Sequence, residues 1–369
     1  MRRRSSGHWD ESDVRIRANK RGSRPRTKDR PAHEDAVIGR VVTVDRGRYT
    51  VDLGSEGPGT EVTAVRAKDL RRVPVVVGDL VGLVGDTSGA EGSLARLVRI
   101  EDRATVLRRS ADDTDPVERV VVANAGQLII VVAAANPTPR TGFIDRSIVA
   151  AYDAGLEPVL CVTKTDLGDA APLRDYYAET SLRILSSSPE RPEEAAAPAG
   201  RHESLPLDPT TVETMRSLLD GHVSVFLGHS GVGKSTLVNA LAGTSRSTGG
   251  VNEVTGRGRH TSSSALAISP SWGSVGTWVV DTPGVRSFGL AHVPKESIVE
   301  AFEDLAPGYA DCPKGCTHAA DAAGCGIQRL VDSGHAGPYG AQRLESLRRL
   351  LGVAAEDGLD QMKELGTTT

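Results

Sequence analysis

Long apolar runs are missing from this sequence. The longest, Leu128 to Ala135, falls far short of the roughly 20 residues that a bilayer-spanning helix needs, which excludes a helical membrane protein. The first residues, Met1-Arg2-Arg3-Arg4 followed by Ser, Gly, His and Asp, lack the apolar stretch of a secretory signal, so the chain is expected in the cytoplasm. Cysteine is scarce. Four in 369 residues do not make a disulfide framework, and three of them share the stretch 312–325 with His318. Aromatic residues reach only 4%, and residues 36–103 hold a single one, Tyr49, so that segment offers little on which nucleic-acid bases could stack. Any RNA contact there is expected to run through phosphate and shape. An excess of one charge is also absent: 44 basic against 48 acidic side chains rule out a general electrostatic pull toward nucleic acid. The imbalance is local. Residues 1–31 carry eleven Lys or Arg against four Asp or Glu, with almost no apolar residues and no period, and residues 1–35 therefore read as a disordered basic arm. The arm could neutralise phosphates or serve as a solubilising tail, and both readings stay open.

What is present falls into three further segments, without internal repeats. Five short β-branched runs, Val37 to Val44, Tyr49 to Leu53, Thr60 to Arg66, Leu80 to Gly85 and Leu94 to Ile100, alternate with Gly and Asp turns. They predict a small Greek-key barrel over residues 36–110, an OB-fold by its strand number, although an SH3-like barrel has a similar pattern. From about Val120 apolar strands alternate with helical stretches, the pattern of a parallel α/β sheet: Gln127 to Ala134, Pro158 to Thr163, Val223 to Leu227 and Thr277 to Asp281, with a helix from Phe143 to Asp153. Residues 187–208, rich in Pro, Glu, Ala and Ser, are expected to form an exposed loop. After Pro294 the chain reads as helix, cysteine cluster and a last amphipathic helix from Ala341 to about Glu356.

The strongest signal is Gly228-His229-Ser230-Gly231-Val232-Gly233-Lys234-Ser235, between a predicted strand and a predicted helix, which is the context a P-loop requires. Its glycines let backbone N–H groups turn inward around a phosphate, and the following helix N-terminus favours negative charge. Lys234 is assigned to the β and γ oxygens and Ser235, with Thr236 beside it, to the Mg2+ end of the nucleotide. Asp281-Thr282-Pro283-Gly284 has the form Asp-x-x-Gly, with the carboxylate toward Mg2+ through water and the Gly284 N–H toward the γ-phosphate. Thr163-Lys164-Thr165-Asp166 resembles the guanine-reading Asn-Lys-x-Asp. Asp166 would accept from two guanine nitrogens and Lys164 would lie along the base. Thr163 replaces the usual Asn, whose amide ties this loop to the P-loop, so nucleotide affinity is expected to be lower than in relatives with Asn. Ser186 to Ser188 is read as the loop whose backbone faces the guanine oxygen.

The order of these motifs is unusual, because the base-reading loop precedes the P-loop and the Asp-x-x-Gly. That order is what circular permutation produces when the chain ends move to a former surface connection. With it, the sequence resembles the ribosome small subunit-dependent GTPase A family from residue 36 to about 355. The residues that carry the resemblance are the barrel before Asn124, the three nucleotide motifs, Arg257-Gly258-Arg259-His260-Thr261 and the Cys/His cluster. It implies an OB-fold barrel (36–110), a circularly permuted α/β P-loop GTPase domain (111–292) and a mainly helical zinc-binding domain (293–369). It further implies GTP and GDP as substrate and product, Mg2+, one structural Zn2+, and a role in late maturation of the small (30S) ribosomal subunit, whose rRNA it engages and which stimulates hydrolysis. A monomer is the simpler expectation. Thr261 would join Mg2+ in switch I. Val285 stands where many GTPases carry a water-orienting Gln, and His260 is the candidate to replace it. Two rival classes remain: an RNA-binding nucleotide sensor with little turnover, and a P-loop ATPase in which the 163–166 match is accidental.

Cys312, Cys316, His318 and Cys325 offer three thiolates and an imidazole, the set a tetrahedral structural Zn2+ prefers. Their intervals are three, one and six residues, where the resemblance implies four, one and five, so the loop geometry is expected to differ. Cys161 lies within an apolar strand and reads as core.

Overall fold

The computed structural model describes residues 33–54, 59–70, 73–110, 117–189, 207–243, 265–284 and 289–352. The basic arm, His260, Thr261 and Val285 lie outside the described residues. From Asp35 onward the chain forms one compact unit.

The first five strands are Val37–Asp45 (β1), Arg48–Asp52 (β2), Glu61–Arg66 (β3), Leu80–Gly85 (β4) and Ala95–Ile100 (β5). They pair in the order β1-β2-β3-β5-β4, and β4 returns to β1, so the sheet closes. Only β3 and β5 run parallel. This closed five-stranded ring matches the OB-fold expected from sequence. Alternation fills it: Val41, Val51, Val62, Val81, Leu83 and Leu97 point inward and are fully buried. A separate antiparallel hairpin follows, Val106–Arg109 (β6) with Arg119–Ala123 (β7). The sequence reading missed it, and it joins residues on either side of the 110/111 line.

The α/β region comprises Gln127–Ala133 (β8), Thr141–Asp153 (α1), Glu157–Thr163 (β9), Ala171–Tyr176 (α2), Arg183–Ser186 (β10) and Pro209–Leu219 (α3). It continues with Val223–Gly228 (β11), Lys234–Ala242 (α4), Leu266–Ile268 (β12) and Trp278–Asp281 (β13). Its order is β10-β9-β8-β11-β13-β12, parallel except for β12. Both faces are covered, which explains why β8 and β9 read as near-continuous apolar runs. Ile129, Val131 and Phe226 pack under α3 and α4 through Met215, Leu237 and Leu241. Leu128, Ile130 and Leu160 face the other way, toward α1 and the C-terminal helices.

β12, which the sequence reading did not foresee, pairs antiparallel with β13 on one side and with β1 on the other, at Thr43↔Leu266. Barrel and α/β sheet thus share an eleven-stranded ladder. Arg40 of β1 reinforces the junction, its guanidinium 5.7 Å from the Trp278 ring.

The last helices are Lys295–Glu300 (α5), Ala306–Ala310 (α6), Gly326–Asp332 (α7) and Gly340–Leu350 (α8). α8 stops short of the expected Glu356, because Gly352 takes φ +69°, a helix-ending conformation that glycine adopts without strain. The C-terminal segment is joined to α1 by a buried charge cluster. Arg343 of α8 donates to Asp145 of α1 (2.5 Å) and twice to Asp304 (2.7 and 3.0 Å). Tyr177 and Ser346 also donate to Asp145. Burial opposes the Arg343 charge, but the two carboxylates outweigh it and hold the guanidinium pKa well above its usual value. The expectation of an exposed loop over 187–208 needs correction at its ends. Ser187 is buried, Pro189 bridges Leu207, and Asp208 caps α3 by accepting from the Thr211 N–H at 3.0 Å.

Candidate functional site

The loops that follow β8, β9, β10, β11 and β13 all leave the carboxyl ends of parallel strands, the edge where open α/β sheets bind ligands. The P-loop leaves β11 at Gly228. Gly231 and Gly233 adopt φ +82° and +89°, which side chains with a Cβ reach only with strain. A Cβ on Gly231 would meet nothing within 4 Å, so its face of the loop is open. Val232 is buried and anchors the loop to the core, and Gly233 caps α4. Lys234, the first residue of α4, is nearly buried and donates to Asp281 and to the Thr282 carbonyl. The Thr282 hydroxyl donates to the Phe226 carbonyl (2.6 Å), fixing the Asp-x-x-Gly segment on the P-loop strand. Sequence reasoning assigned Thr282 no role, since it occupies an unspecified position of the motif. Gly284 approaches the P-loop backbone so closely that a Cβ there would sit 3.3 Å from the Ser230 nitrogen. Ser235 is exposed and Thr236 half-buried on the first turn of α4. The His229 ring lies 4.2 Å from the ring of Phe143 on α1, a contact no motif announces.

The base-reading segment meets the same loop from the neighbouring side. The Lys164 ammonium donates to the Gly231 carbonyl at 2.7 Å and to that of Asn136. Thr163 is buried, and its hydroxyl reaches the carbonyls of Val232 and, at 3.1 Å, Val132. The tie expected to be lost with Asn is thus made by a hydroxyl. Asp166 is half-buried in the turn closed by Leu167 N–H to Lys164 O (2.9 Å). Ser187, after β10, accepts from the Thr165 N–H through its carbonyl (3.4 Å), and its own buried hydroxyl has no hydrogen-bond partner. The structure therefore brings together Thr163, Lys164, Gly228 to Ser235, Asp281 and Gly284, segments far apart in sequence. An open glycine loop at a helix N-terminus, a lysine and a carboxylate fit a polyphosphate with a divalent cation.

A second cluster lies in the C-terminal segment. Cys312, Cys316, His318 and Cys325 place their ligand atoms within 4.8 Å of one another. The Cys312 and Cys325 sulfurs stand 3.7 and 3.8 Å from His318 Nδ1. The Gly326 N–H donates to Cys312 Sγ (3.2 Å), as N–H groups do around metal thiolates. His318 takes φ +58° and Gly315 and Gly324 take φ +78° and +70°, the tight turns by which the three, one and six spacing converges. The donor chemistry fits a closed tetrahedral zinc site. Desolvation and the Arg348 charge lower the His318 pKa, favouring the neutral imidazole that binds metal. Cys161 lies outside this cluster in β9, where burial pushes its thiol up to about 12.

A family model described as RsgA GTPase matches residues 100–291. A small ribosomal subunit biogenesis GTPase RsgA from Ectopseudomonas mendocina is 35% identical over 240 residues, covering 64% of each chain. The chain thus spans just under two-thirds of that relative's length. Longer alignments exist: the protein of that name from Pseudomonas syringae pv. tomato is 31% identical across 83% of this chain and 88% of its own. The one from Chlorobaculum parvum is 29% identical across 89% and 99%. Among solved structures, YjeQ from Thermotoga maritima superposes with a TM-score of 0.59 at 24% identity, covering 85% of this chain and 98% of its own. YloQ, described as a circularly permuted GTPase, gives 0.58 at 20% identity, covering 86% and 96%. The two structures speak for the fold, and the family model together with the relatives leads to one statement: the chain belongs to the RsgA GTPase family.

Proposed function

We propose that the chain binds GTP in the site framed by Lys164, Lys234 and Asp281, hydrolyses it, and acts in late maturation of the small ribosomal subunit, whose rRNA it engages and whose binding stimulates turnover. The observation that carries this reading is the convergence of three motifs. Lys164 and Thr163 grip the Gly231 and Val232 carbonyls while Lys234 meets Asp281. The choice of partner is supported by relatives named small ribosomal subunit biogenesis GTPase RsgA.

In this reading the N–H groups of Gly228 to Ser235 surround the phosphates and Lys234 balances their charge. Thr236 borders the cradle on the first turn of α4. Ser235 and Thr261 would hold Mg2+, with the Asp281 carboxylate facing it through water, and the ion would supply positive charge against the phosphates. Gly284 donates its N–H to the γ-phosphate. Asp166 reads the guanine ring, and Lys164 lies along it. Val285 cannot orient water, and His260 takes that part. Cys312, Cys316, His318 and Cys325 hold one structural Zn2+. The organisation into arm (1–35), barrel (36–110), GTPase domain (111–292) and zinc domain (293–369) belongs to the same proposal, as do a monomeric state and cytoplasmic location. No helix among the described residues is long and apolar enough to cross a membrane.

The test is GTP turnover with and without small ribosomal subunits. Stimulation by the subunits, lost in Lys234→Ala and reduced in His260→Ala, supports the reading. Intact GTP binding without stimulation favours a nucleotide sensor, the alternative that the apolar Val285 speaks for. Displacement of GTP by excess ATP would instead point to an ATPase.

A further inference from the structure

Helices α1 and α5 end at one cleft of about 400 Å3, whose lining includes Tyr152, Asp153, Ser297, Glu300 and Glu303 and, among the described residues, no lysine or arginine. Asp153 and Glu300 are the last residues of the two helices. Free backbone carbonyls make a helix C-terminus negative, so a carboxylate is unfavourable there and a cation favourable. Neither helix carries a basic residue in its last turn. Both acids thus stand where helix stability alone disfavours them. The chain does not fully compensate them either. Glu300 is exposed and has no partner among the described residues. Behind Asp153 lies His292, its side chain only 4% exposed, with Nδ1 lacking any hydrogen-bond partner. Its Nε2 is aimed at Asp153 Oδ2 from 3.8 Å, beyond hydrogen-bond reach. Glu303, by contrast, is fixed by the Tyr152 hydroxyl at 2.9 Å and by the Ser181 N–H and hydroxyl at 2.8 and 2.9 Å. Those bonds also hold the Tyr152 ring at the rim, where it is 36% exposed.

We propose that this cleft binds an arginine side chain presented by a basic protein segment. A flat guanidinium forks between carboxylates and lies against an aromatic ring, and the cleft supplies both. A metal ion is the poorer occupant, because among the described residues only the Cys/His cluster brings enough ligand atoms together to hold one. The same carboxylates repel phosphate, so this face calls for a protein and not for RNA. The cleft lies ten residues along α1, or about 15 Å, from Phe143, whose ring touches His229 of the P-loop. It is therefore separate from the nucleotide site, and the proposal does not rest on the GTP reading.

The experiment measures fluorescence anisotropy of a labelled peptide of alternating arginine and glycine, titrated with the full chain, beside a counterpart in which neutral citrulline replaces each arginine. The arginine peptide is expected to bind and the citrulline peptide not. Glu300→Gln should weaken binding roughly tenfold, Glu300→Lys should abolish it, and Tyr152→Leu should weaken it about threefold. The melting temperature of Glu300→Gln should not fall, since an acid leaves a helix C-terminus. Equal affinity in Glu300→Lys and the parent overturns the proposal, as does equal binding of the citrulline peptide. Displacement of the peptide by an equal concentration of spermidine or Mg2+ would make the cleft a site for small cations and overturn it too. An RNA oligonucleotide bound more tightly by the parent than by Glu300→Lys would likewise overturn it.

Discussion

Replacing Arg343 by methionine keeps the apolar stem and deletes the guanidinium that links α8 to α1. Asp145 would still receive the Tyr177 hydroxyl at 2.9 Å and that of Ser346, but Asp304 would lose both of its bonds, at 2.7 and 3.0 Å. Both carboxylate side chains are almost fully buried, at 1% and 2% exposure. Removing one partner from such a cluster costs about 3–5 kcal/mol, because the remaining charge has no solvent to fall back on. Rings stacked on the guanidinium, with Phe302 at 4.5 Å and Tyr177 at 5.0 Å, add on the order of 1 kcal/mol, part of which methionine packing returns. The expected loss is about 4 kcal/mol in urea unfolding at pH 7, a large share of the ~5–15 kcal/mol that holds a domain together. Adding Asp304→Asn should return about 1 kcal/mol or more, since the orphaned charge is then gone. A loss under about 1 kcal/mol for the single variant, or strictly additive effects in the pair, would refute the view that Arg343 is the keystone of this cluster.

Removing zinc with a strong chelator, or changing Cys316 to Ser, should abolish metal content measured by atomic emission and lower the melting temperature, on a scale of ~2–4 °C per kcal/mol lost. Retention of metal in Cys316→Ser would argue against its place in the ligand set. Asp166→Asn should weaken GTP and strengthen xanthosine triphosphate binding, and an unchanged preference between the two would remove Asp166 from base reading. Burial opposes ionisation of Glu303, but hydrogen bonds from the Ser181 hydroxyl and N–H and from Tyr152 outweigh it and set its pKa below the usual value. Its stabilising contribution is therefore complete above the unfolded carboxylate range near ~4.3 and fades as pH falls through the lower folded value. Glu303→Gln should flatten that acid limb in melting curves taken across pH 3–6, and an unaltered limb would deny Glu303 this part.

The strands of the barrel and of the α/β sheet were legible because their apolar residues follow clean periods, alternating where one face meets a core and continuous where both do. The P-loop and Asp-x-x-Gly were legible because a positive φ demands glycine at Gly231 and Gly233, and close approach to the Ser230 backbone demands it at Gly284. β12 was not, since three residues carry no period and are held by pairing on both sides. The β6–β7 hairpin was missed because β6 is a short Val-Leu-Arg-Arg stretch without a period, and the apolar β7, Arg-Val-Val-Val-Ala, reads as the opening of the α/β segment. Nor could the Arg343 cluster be read: its partners Asp145 and Asp304 lie far away in sequence, and an arginine on an amphipathic helix looks like a solvated charge. The role of Thr163 hinged on reach. Its identity broke the expected motif, yet its hydroxyl reaches the P-loop carbonyl that the motif's tie requires.

A closed ring of staves has no free edge at which to open. Its hydrogen bonds to the α/β region run by two routes: the short strand Leu266–Ile268, paired to a stave at Thr43 and to the strand ending at Asp281, and the Val77 and Gly78 carbonyls, which accept from the Ala123 N–H and the Asn124 side-chain amide. Tilting the barrel must then drag these partners along or break both seams. The first route ends beside the carboxylate that Lys234 meets, the second where the chain enters the central strand of the α/β sheet.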